Sequence, residues 1–135
     1  MKFHSRLPAC ALLLFAAGVA AAQPLPRLAA STNDVTVSGI SSGGYMAVQF
    51  QVAYSSVVRG AGVLAGGPYH CAEGSLRRAL GNCMAPSGKE LPPTADETLK
   101  TVRQLAAAGR IDPPGNLADD RVWLLSGGQD KTVAP

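Results

Sequence analysis

Apolar and polar residues alternate with two different periods along the first part of the chain. Residues 34–38 (DVTVS) alternate with period two and carry β-branched side chains, which is typical of a short strand. Residues 43–53 (GGYMAVQFQVA) place Met46, Phe50 and Ala53 at helical spacing. The pattern therefore predicts a strand that passes almost directly into a helix.

Two more strands and one more helix are predicted further along. Residues 59–66 and residues 121–125 (RVWLL) are short apolar runs, and we expect both to be buried strands. Residues 94–108 predict a helix, because they begin with an N-cap threonine, carry glutamate three positions later and are followed by Gly109. Residues 67–93 are rich in Gly and Pro and contain two cysteines, so we expect a loop there.

The order strand, helix, strand, helix, strand predicts an α/β fold: a mostly parallel sheet with flanking helices. In such sheets, ligands bind at the edge where strands end and helices begin. Residues 39–44 and 126–130 form two unusual loops, and each follows a predicted strand at that edge. We therefore expect the functional site between these loops.

The first of these loops contains the pattern G-x-S-x-G, as Gly39-Ile40-Ser41-Ser42-Gly43. Between a strand and a helix, this pattern predicts a nucleophile elbow, in which glycine at each end relieves crowding and the central serine projects above the sheet. Ser41 is therefore the candidate nucleophile. The backbone N–H of Ser42, at the start of the helix, is a candidate oxyanion donor. An ordinary glycine-rich turn is the alternative interpretation.

A serine nucleophile needs a base, and the base needs an orienting carboxylate. Hydrolases with this elbow carry the three groups in the chain order serine, acid, histidine. Asp130 follows the last predicted strand and fits the middle place, although a turn aspartate explains it equally well. No histidine follows Asp130 in the sequence, and His70, beside Cys71, is better explained as a polar loop residue than as a general base.

Residues 1–22 have the pattern of a secretory signal peptide. Lys2 and Arg6 precede an apolar stretch that closes on three alanines at 20–22. The apolar stretch is shorter than the roughly 20 residues that a membrane span needs. We therefore expect export to the periplasm or the extracellular medium, no membrane association after cleavage, and a mature part that comprises residues 23–135.

Loss of the leader changes both the charge and the cysteine count. It removes two basic residues and no acidic one, which lowers the formal net charge from +3 to +1 and gives no reason to expect nucleic-acid binding. Cys10 leaves with the leader, and the remaining Cys71 and Cys83 are expected to form a disulfide in an oxidising compartment. A zinc site is the alternative, but there is no C-x-x-C motif and His70 is the one remaining histidine, so we expect no metal.

Longer stretches around these motifs resemble one enzyme family. Residues 38–72 (SGISSGGYMAVQFQVAYSSVVRGAGVLAGGPYHCA) and 109–135 (GRIDPPGNLADDRVWLLSGGQDKTVAP) are similar to extracellular-type poly(3-hydroxybutyrate) depolymerases. These are secreted α/β-hydrolase esterases of the single-domain, circularly permuted type. The elbow, the AYS after the helix, the AGGPYxCA after the next strand and the SGxxDxxV segment stand in the family's order. The resemblance covers residues 33–135.

The resemblance implies that Ser41 is the nucleophile, that Asp130 is the triad acid, and that Cys71 is bonded to Cys83. The family's histidine, and the HGC motif that supplies its other oxyanion donor, lie beyond the acid segment and have no counterpart in this sequence. We therefore expect an amino-terminal portion of the hydrolase fold that is inactive by itself. The implied substrate is a polyester or oligoester, hydrolysed by Ser–His–Asp acyl transfer without a cofactor or metal.

Two other functions stay open at this point. The elbow also suits a different secreted carboxylesterase, of the feruloyl or acetyl-xylan type. The missing histidine favours an inactive secreted remnant or a binding module.

Overall fold

The computed structural model describes residues 24, 26 and 28–135, and the predicted signal peptide lies outside the described residues. The elements follow in the order β1 (Val35–Ile40), α1 (Ser42–Ala53), β2 (Val58–Leu64), α2 (Leu76–Arg78), a π-helical segment (Ala79–Met84), α3 (Ala95–Ala107), a 3-10 helix (Pro114–Asp119) and β3 (Arg121–Leu125). The strands and long helices predicted from the sequence are all present, and their ends differ from the predicted ones by at most two residues.

The three strands form a parallel sheet in the order β1-β2-β3. Val37 is the partner of Ala61, and Ala61 is in turn the partner of Val122, so β2 is the central strand. This arrangement confirms the predicted α/β class. Because the strands are parallel, the segments that follow all three of them lie at one edge of the sheet.

Helix α1 packs on one face of the sheet through small side chains. Ala47 of α1 is buried against Ala61 and Val63 of β2, and Val37 and Val48 pack around them. The helix therefore lies close to the strands, and this contact forms the hydrophobic core of the described residues.

The buried face of α1 differs from the apolar spacing that predicted the helix. Its buried residues are Gly44, Ala47 and Gln51, whereas Met46 and Phe50 are 53% and 45% exposed. The periodicity predicts the helix correctly, but it does not identify the face that meets the sheet. Close approach to backbone atoms favours the small residues on that face.

Strand β3 corrects the expectation that residues 121–125 are buried. All five of its residues are exposed, with Trp123 at 56% and Leu124 at 69%. The strand lies at the edge of the sheet and, among the described residues, pairs with β2 alone. An apolar sequence therefore indicates the strand here, and its position in the sheet determines its exposure.

The segment predicted as a loop over residues 67–93 contains helix. A helical stretch begins after Ser75, runs through Leu76–Arg78 and continues as the π-helical Ala79–Met84. The Ser75 hydroxyl accepts a hydrogen bond from the backbone N–H of Arg78 at 3.4 Å and so acts as an N-cap. That serine, directly before residues with helical propensity, is the signal that could have predicted it.

Helix α3 has the start and the stop that its sequence predicts. The Thr94 hydroxyl accepts a hydrogen bond from the N–H of Glu97, and the Glu97 carboxylate accepts one from the N–H of Thr94 at 2.8 Å. The bond that the Glu97 carboxylate accepts from the N–H of Thr94, followed by one from the Thr94 hydroxyl at 2.9 Å, holds the pKa of Glu97 below its ordinary value. Gly109, with φ of 66°, follows the helix in the left-handed conformation. In the described part of the chain, no helix combines the length and apolar character needed to cross a membrane.

Candidate active site

Ser41 occupies the turn between β1 and α1 in a conformation that side-chain-bearing residues rarely adopt. Its φ is 56° and its ψ is −122°. Its side chain makes no capping hydrogen bond to α1, so the hydroxyl is not used to stabilise the helix. Such backbone strain costs on the order of 1–3 kcal/mol, and it is concentrated at functional sites. The strained turn predicted for an elbow is therefore present at Ser41.

Backbone hydrogen bonds on both sides hold this turn. The N–H of Ser41 donates to the carbonyl oxygen of Leu64 at the end of β2, at 2.9 Å. The carbonyl oxygen of Ser41 accepts from the N–H of Tyr45 in α1, at 3.0 Å. The serine is thus fixed to the sheet and to the helix, and its strained backbone cannot relax without breaking one of these bonds.

The glycines around Ser41 serve the turn in a different way from the one predicted. A Cβ on Gly39 would lie 2.3 Å from the carbonyl carbon and oxygen of Gly43, so this position admits no side chain. A Cβ on Gly43 would have no atom within 4 Å, so the expectation that this glycine relieves crowding is wrong. The second close approach belongs to Gly44, where a Cβ would lie 2.7 Å from the carbonyl oxygen of Leu64.

Ser42 is the first residue of α1, and its side chain is exposed. The first N–H groups of a helix have no partner inside the helix and lie at the positive end of its dipole. The Ser42 N–H is therefore available to an oxygen placed beside Ser41. Its use as an oxyanion donor stays a prediction.

A cavity of about 460 Å³ opens beside Ser41 and Ser42. Its walls are the first half of α1, the residues that follow β2, and the segment around the disulfide. Most of the lining is apolar and includes Met46, Ala79 and Met84. The nucleophile candidate therefore faces a mainly aliphatic space.

Two polar side chains in the cavity wall, those of Tyr45 and Gln49, are engaged with the protein. The Tyr45 hydroxyl donates to the carbonyl oxygen of Cys83 at 2.6 Å, and burial raises the pKa of this phenol, which keeps it protonated. The Gln49 amide is used at both ends: its oxygen accepts from the N–H of His70 at 3.0 Å, and its nitrogen donates to the carbonyl oxygen of Tyr45 at 3.2 Å. Apart from Ser41, the polar wall side chains that make no hydrogen bond among the described residues are those of Ser42 and His70.

Cys71 and Cys83 form a disulfide, as predicted, with their Cα atoms 6.0 Å apart. Both residues are buried and both line the cavity. The bond excludes the alternative of two zinc-binding thiolates. In the portion of the chain that the structure describes, no three His, Cys, Asp or Glu side chains are grouped as metal ligands would be.

Asp130 lies in the loop after β3, at the same edge of the sheet as Ser41. Its Oδ1 accepts hydrogen bonds from the N–H groups of Thr132 at 2.8 Å and Val133 at 3.0 Å. The bond from Val133, followed by the one from Thr132, holds the pKa of Asp130 below its ordinary value, so the side chain is a carboxylate at neutral pH. Two strand spacings, roughly 10 Å, separate the ends of β1 and β3.

The structure brings His70, and not Asp130, to the cavity that Ser41 lines. His70 is exposed and has a positive φ of 58°. Local patterns do not predict this position, because 29 positions separate His70 from Ser41 and the loop after β2 carries it to the cavity. Among the described residues, none is hydrogen-bonded to both the Ser41 and the Asp130 side chains.

Two further aspartates, Asp112 and Asp120, lie away from the site. Asp120 accepts from the Gln51 side chain at 3.2 Å, and Asp112 accepts from the N–H of Ser56 at 2.9 Å. Asp120 lies directly before β3 and Asp112 lies in the preceding loop, and both connect to the C-terminal end of α1 or to the residues just after it. Of these aspartates, Asp130 is the one that lies at the sheet edge of Ser41, whereas Glu73 lines the cavity and pairs with Arg78.

Comparison with known proteins gives the family. No protein-family model matches the chain. The chain is 50% identical over 117 residues to the poly(3-hydroxybutyrate) depolymerase of Delftia acidovorans, a match that covers 85% of this chain and 23% of the relative. It is 38% identical over 126 residues to the polyhydroxybutyrate depolymerase of Talaromyces funiculosus, which covers 92% of this chain and 34% of that relative. The chain belongs to the poly(3-hydroxybutyrate) depolymerase family.

A solved structure of the depolymerase family has the same fold. The crystal structure of PHB depolymerase from Penicillium funiculosum matches with a TM-score of 0.63 at 38% identity, over 77% of this chain and 30% of that chain. The match confirms that the three parallel strands and their helices are part of an α/β-hydrolase-like fold. The chain spans between about a quarter and a third of the length of the curated depolymerases cited above.

Proposed function

We propose that this chain carries the nucleophile and the acid of a secreted serine esterase that hydrolyses poly(3-hydroxybutyrate) or its oligomers. The observation that carries the proposal is Ser41: its φ is 56°, its hydroxyl is not used as a helix cap, and it lines an apolar cavity. Relatives from two organisms named as depolymerases of this polymer support the substrate.

The proposed mechanism is acyl transfer through Ser41. Its Oγ attacks the ester carbonyl carbon while a histidine takes its proton, and Asp130 orients that histidine. The N–H of Ser42 stabilises the negative oxygen of the tetrahedral intermediate. The histidine then gives its proton to the leaving alkoxide, and water releases the acyl group by the reverse sequence of steps. No step requires a metal or an organic cofactor.

The cavity favours a polyester over the esters of sugars or phenols. A 3-hydroxybutyrate unit has methyl and methylene groups and an ester, and it has no hydrogen-bond donor within the polymer. The wall meets these groups with Met46, Ala79 and Met84, and its Tyr45 and Gln49 side chains already have partners. Beyond Ser41, the wall offers Ser42 and His70 as its free polar side chains among the described residues, whereas a site for acetyl-xylan or feruloyl esters would need more such groups to pair with the hydroxyls of the substrate.

Secretion is supported by the disulfide and by the sequence of the leader. Cys71 and Cys83 are bonded, and such bonds persist in oxidising compartments. Residues 1–22 have the pattern of a signal peptide that leads to those compartments.

A substrate panel tests the proposal on the protein expressed from its complete coding sequence. The panel contains polyhydroxybutyrate suspension, hydroxybutyrate oligomers, acetylated xylan and a feruloyl ester. We expect turnover of the first two and labelling of Ser41 by a fluorophosphonate. Preferential turnover of the sugar or feruloyl esters would establish a different esterase. Failure of the fluorophosphonate to label any serine, together with no turnover, would establish a non-catalytic module.

A further inference from the structure

Tyr45 joins three parts of the candidate site through its backbone and its side chain. Its backbone N–H donates to the carbonyl oxygen of Ser41, and its hydroxyl donates to the carbonyl oxygen of Cys83 at 2.6 Å. Its ring lies against the loop after β2, where a Cβ on Gly67 would be 2.3 Å from the ring atom Cε1. Tyr45 therefore connects the turn of the nucleophile to the π-helical segment Ala79–Met84.

The same π-helical segment holds the loop of Asp130. Met84, the residue after Cys83, accepts a hydrogen bond at its carbonyl oxygen from the N–H of Ala134 at 2.8 Å. Val133 is 2% exposed, although residues 126–129 and 131–132 around it are exposed. Among the described residues beyond β3, the bond to Met84 is the one backbone hydrogen bond to another segment, and it joins the burial of Val133 in fixing the Asp130 loop.

We propose that Tyr45 is a positioning residue. Its hydroxyl holds Cys83, and the next residue, Met84, holds the Asp130 loop, so that the Asp130 carboxylate keeps a fixed position relative to Ser41. The continuous path runs from Ser41 to Tyr45, across to the π-helical segment, and back through Ala134 and Val133 to Asp130. The disulfide from Cys83 to Cys71 limits the movement of this segment, so a shift at either end reaches the other. This role rests on the proposed function of Ser41 and Asp130.

Amide hydrogen exchange of Tyr45→Phe, in the protein expressed from its complete coding sequence, tests the connection without reference to activity. The substitution removes one oxygen and keeps the ring. We expect the amides of residues 132–134 to exchange about two- to tenfold faster, which is the range for one lost hydrogen bond, while the amides of β2 are unchanged. The matched control is Tyr54→Phe, because Tyr54 lies at the end of the same helix, is 56% exposed and has no side-chain hydrogen bond among the described residues.

Two exchange results would overturn the proposal. Unchanged exchange at residues 132–134 would show that Tyr45 does not reach the Asp130 loop. Faster exchange throughout, including β2, would show that Tyr45 supports the whole fold instead of this path. Val133→Ala gives the same test from the other end, and we expect it to speed exchange in Ala79–Met84. No change there would also overturn the proposal.

Steady-state kinetics distinguish a positioning role of Tyr45 from a role in stability alone. We expect Tyr45→Phe to lower kcat for a short hydroxybutyrate ester by about tenfold with KM within about twofold, because misplacement of a catalytic group acts on the chemical step. The double variant with Val133→Ala should show a smaller reduction in kcat than the product of the two single reductions, because both substitutions break the same connection. Multiplicative losses would overturn the proposal. Absence of activity in the unaltered protein would instead refute the proposed function and leave the exchange result standing.

Discussion

Gly39 and Gly43 approach each other so closely that a Cβ on Gly39 would lie 2.3 Å from the carbonyl carbon of Gly43. The contact is not reciprocal, since a Cβ on Gly43 would meet no atom within 4 Å. The end of β1 and the first turn of α1 therefore lie in backbone contact, and there is no room for a side chain at position 39 of the strand. This asymmetry distinguishes two glycines that the G-x-S-x-G motif treats as equivalent.

Alanine at these two glycines should have opposite effects on stability. We expect Gly39→Ala to lower the free energy of unfolding by about 3 kcal/mol, because the backbone of Gly43 cannot move away from the added methyl group. We expect Gly43→Ala to raise it by about 0.5–1 kcal/mol, because alanine loses less conformational entropy than glycine in a helix. Urea unfolding of both variants measures the difference, and equal destabilisation would contradict the asymmetry.

Relief of the strain at Ser41 should stabilise the fold. Glycine adopts the φ of 56° without steric cost, so Ser41→Gly should increase the free energy of unfolding by about 1 kcal/mol after its own entropic cost. Ser42→Gly is the matched control, and it should destabilise the protein because residue 42 has helical geometry. A destabilised Ser41→Gly variant would mean that the turn is not strained.

The adjacent serines should differ sharply in catalysis. In the protein expressed from its complete coding sequence, Ser41→Ala should reduce kcat on the order of a million-fold, because the nucleophile is lost. Ser42→Ala should keep most activity, since the proposed oxyanion donor at this position is the backbone N–H. Ester hydrolysis rates and fluorophosphonate labelling measure both variants, and turnover by Ser41→Ala close to that of the unaltered protein would exclude this residue as the nucleophile.

Removal of the disulfide should destabilise the segment that forms the cavity wall. The bond closes a loop between positions 12 apart, for which loop entropy predicts a loss of about 3 kcal/mol in Cys71→Ser with Cys83→Ser. Urea unfolding compares the double variant with the unaltered protein. When the unreduced protein is treated with an alkylating agent, mass spectrometry should find neither Cys71 nor Cys83 alkylated. Alkylation of both cysteines would contradict the disulfide.

The hydrogen bonds to Asp130 make its loop sensitive to acid. Because its folded pKa lies below the ordinary value of 3.8, the ionised carboxylate stabilises the fold above that pH, and this stabilisation is lost as the pH falls through the folded pKa. Asp130→Asn removes the titration and leaves a weaker, neutral acceptor. The difference in urea midpoint between the variant and the unaltered protein should be largest well above pH 3.8 and should shrink as the pH falls below 3.8 toward the folded pKa. A constant difference would contradict the role of the charge.

Local patterns in the sequence determined the elements and the identity of the nucleophile candidate. The alternation before Gly39, the helical spacing after it and the capping pattern around Thr94 are properties of neighbouring residues. Each predicts a backbone conformation that the structure adopts. The N-cap at Ser75 is equally local, and the helix that follows it was predictable from the same kind of pattern.

Only the tertiary structure decided which faces and which distant residues meet. The packing of α1 on β2 selected Gly44 and Ala47 for the core and left Phe50 exposed. The order of the strands placed β3 at the edge, so an apolar strand became exposed. His70 reached the cavity of Ser41, and Tyr45 reached Cys83, 38 positions away, because the chain folds back beside α1. Such contacts depend on how elements pack in space, and short-range periodicity carries no information about that packing.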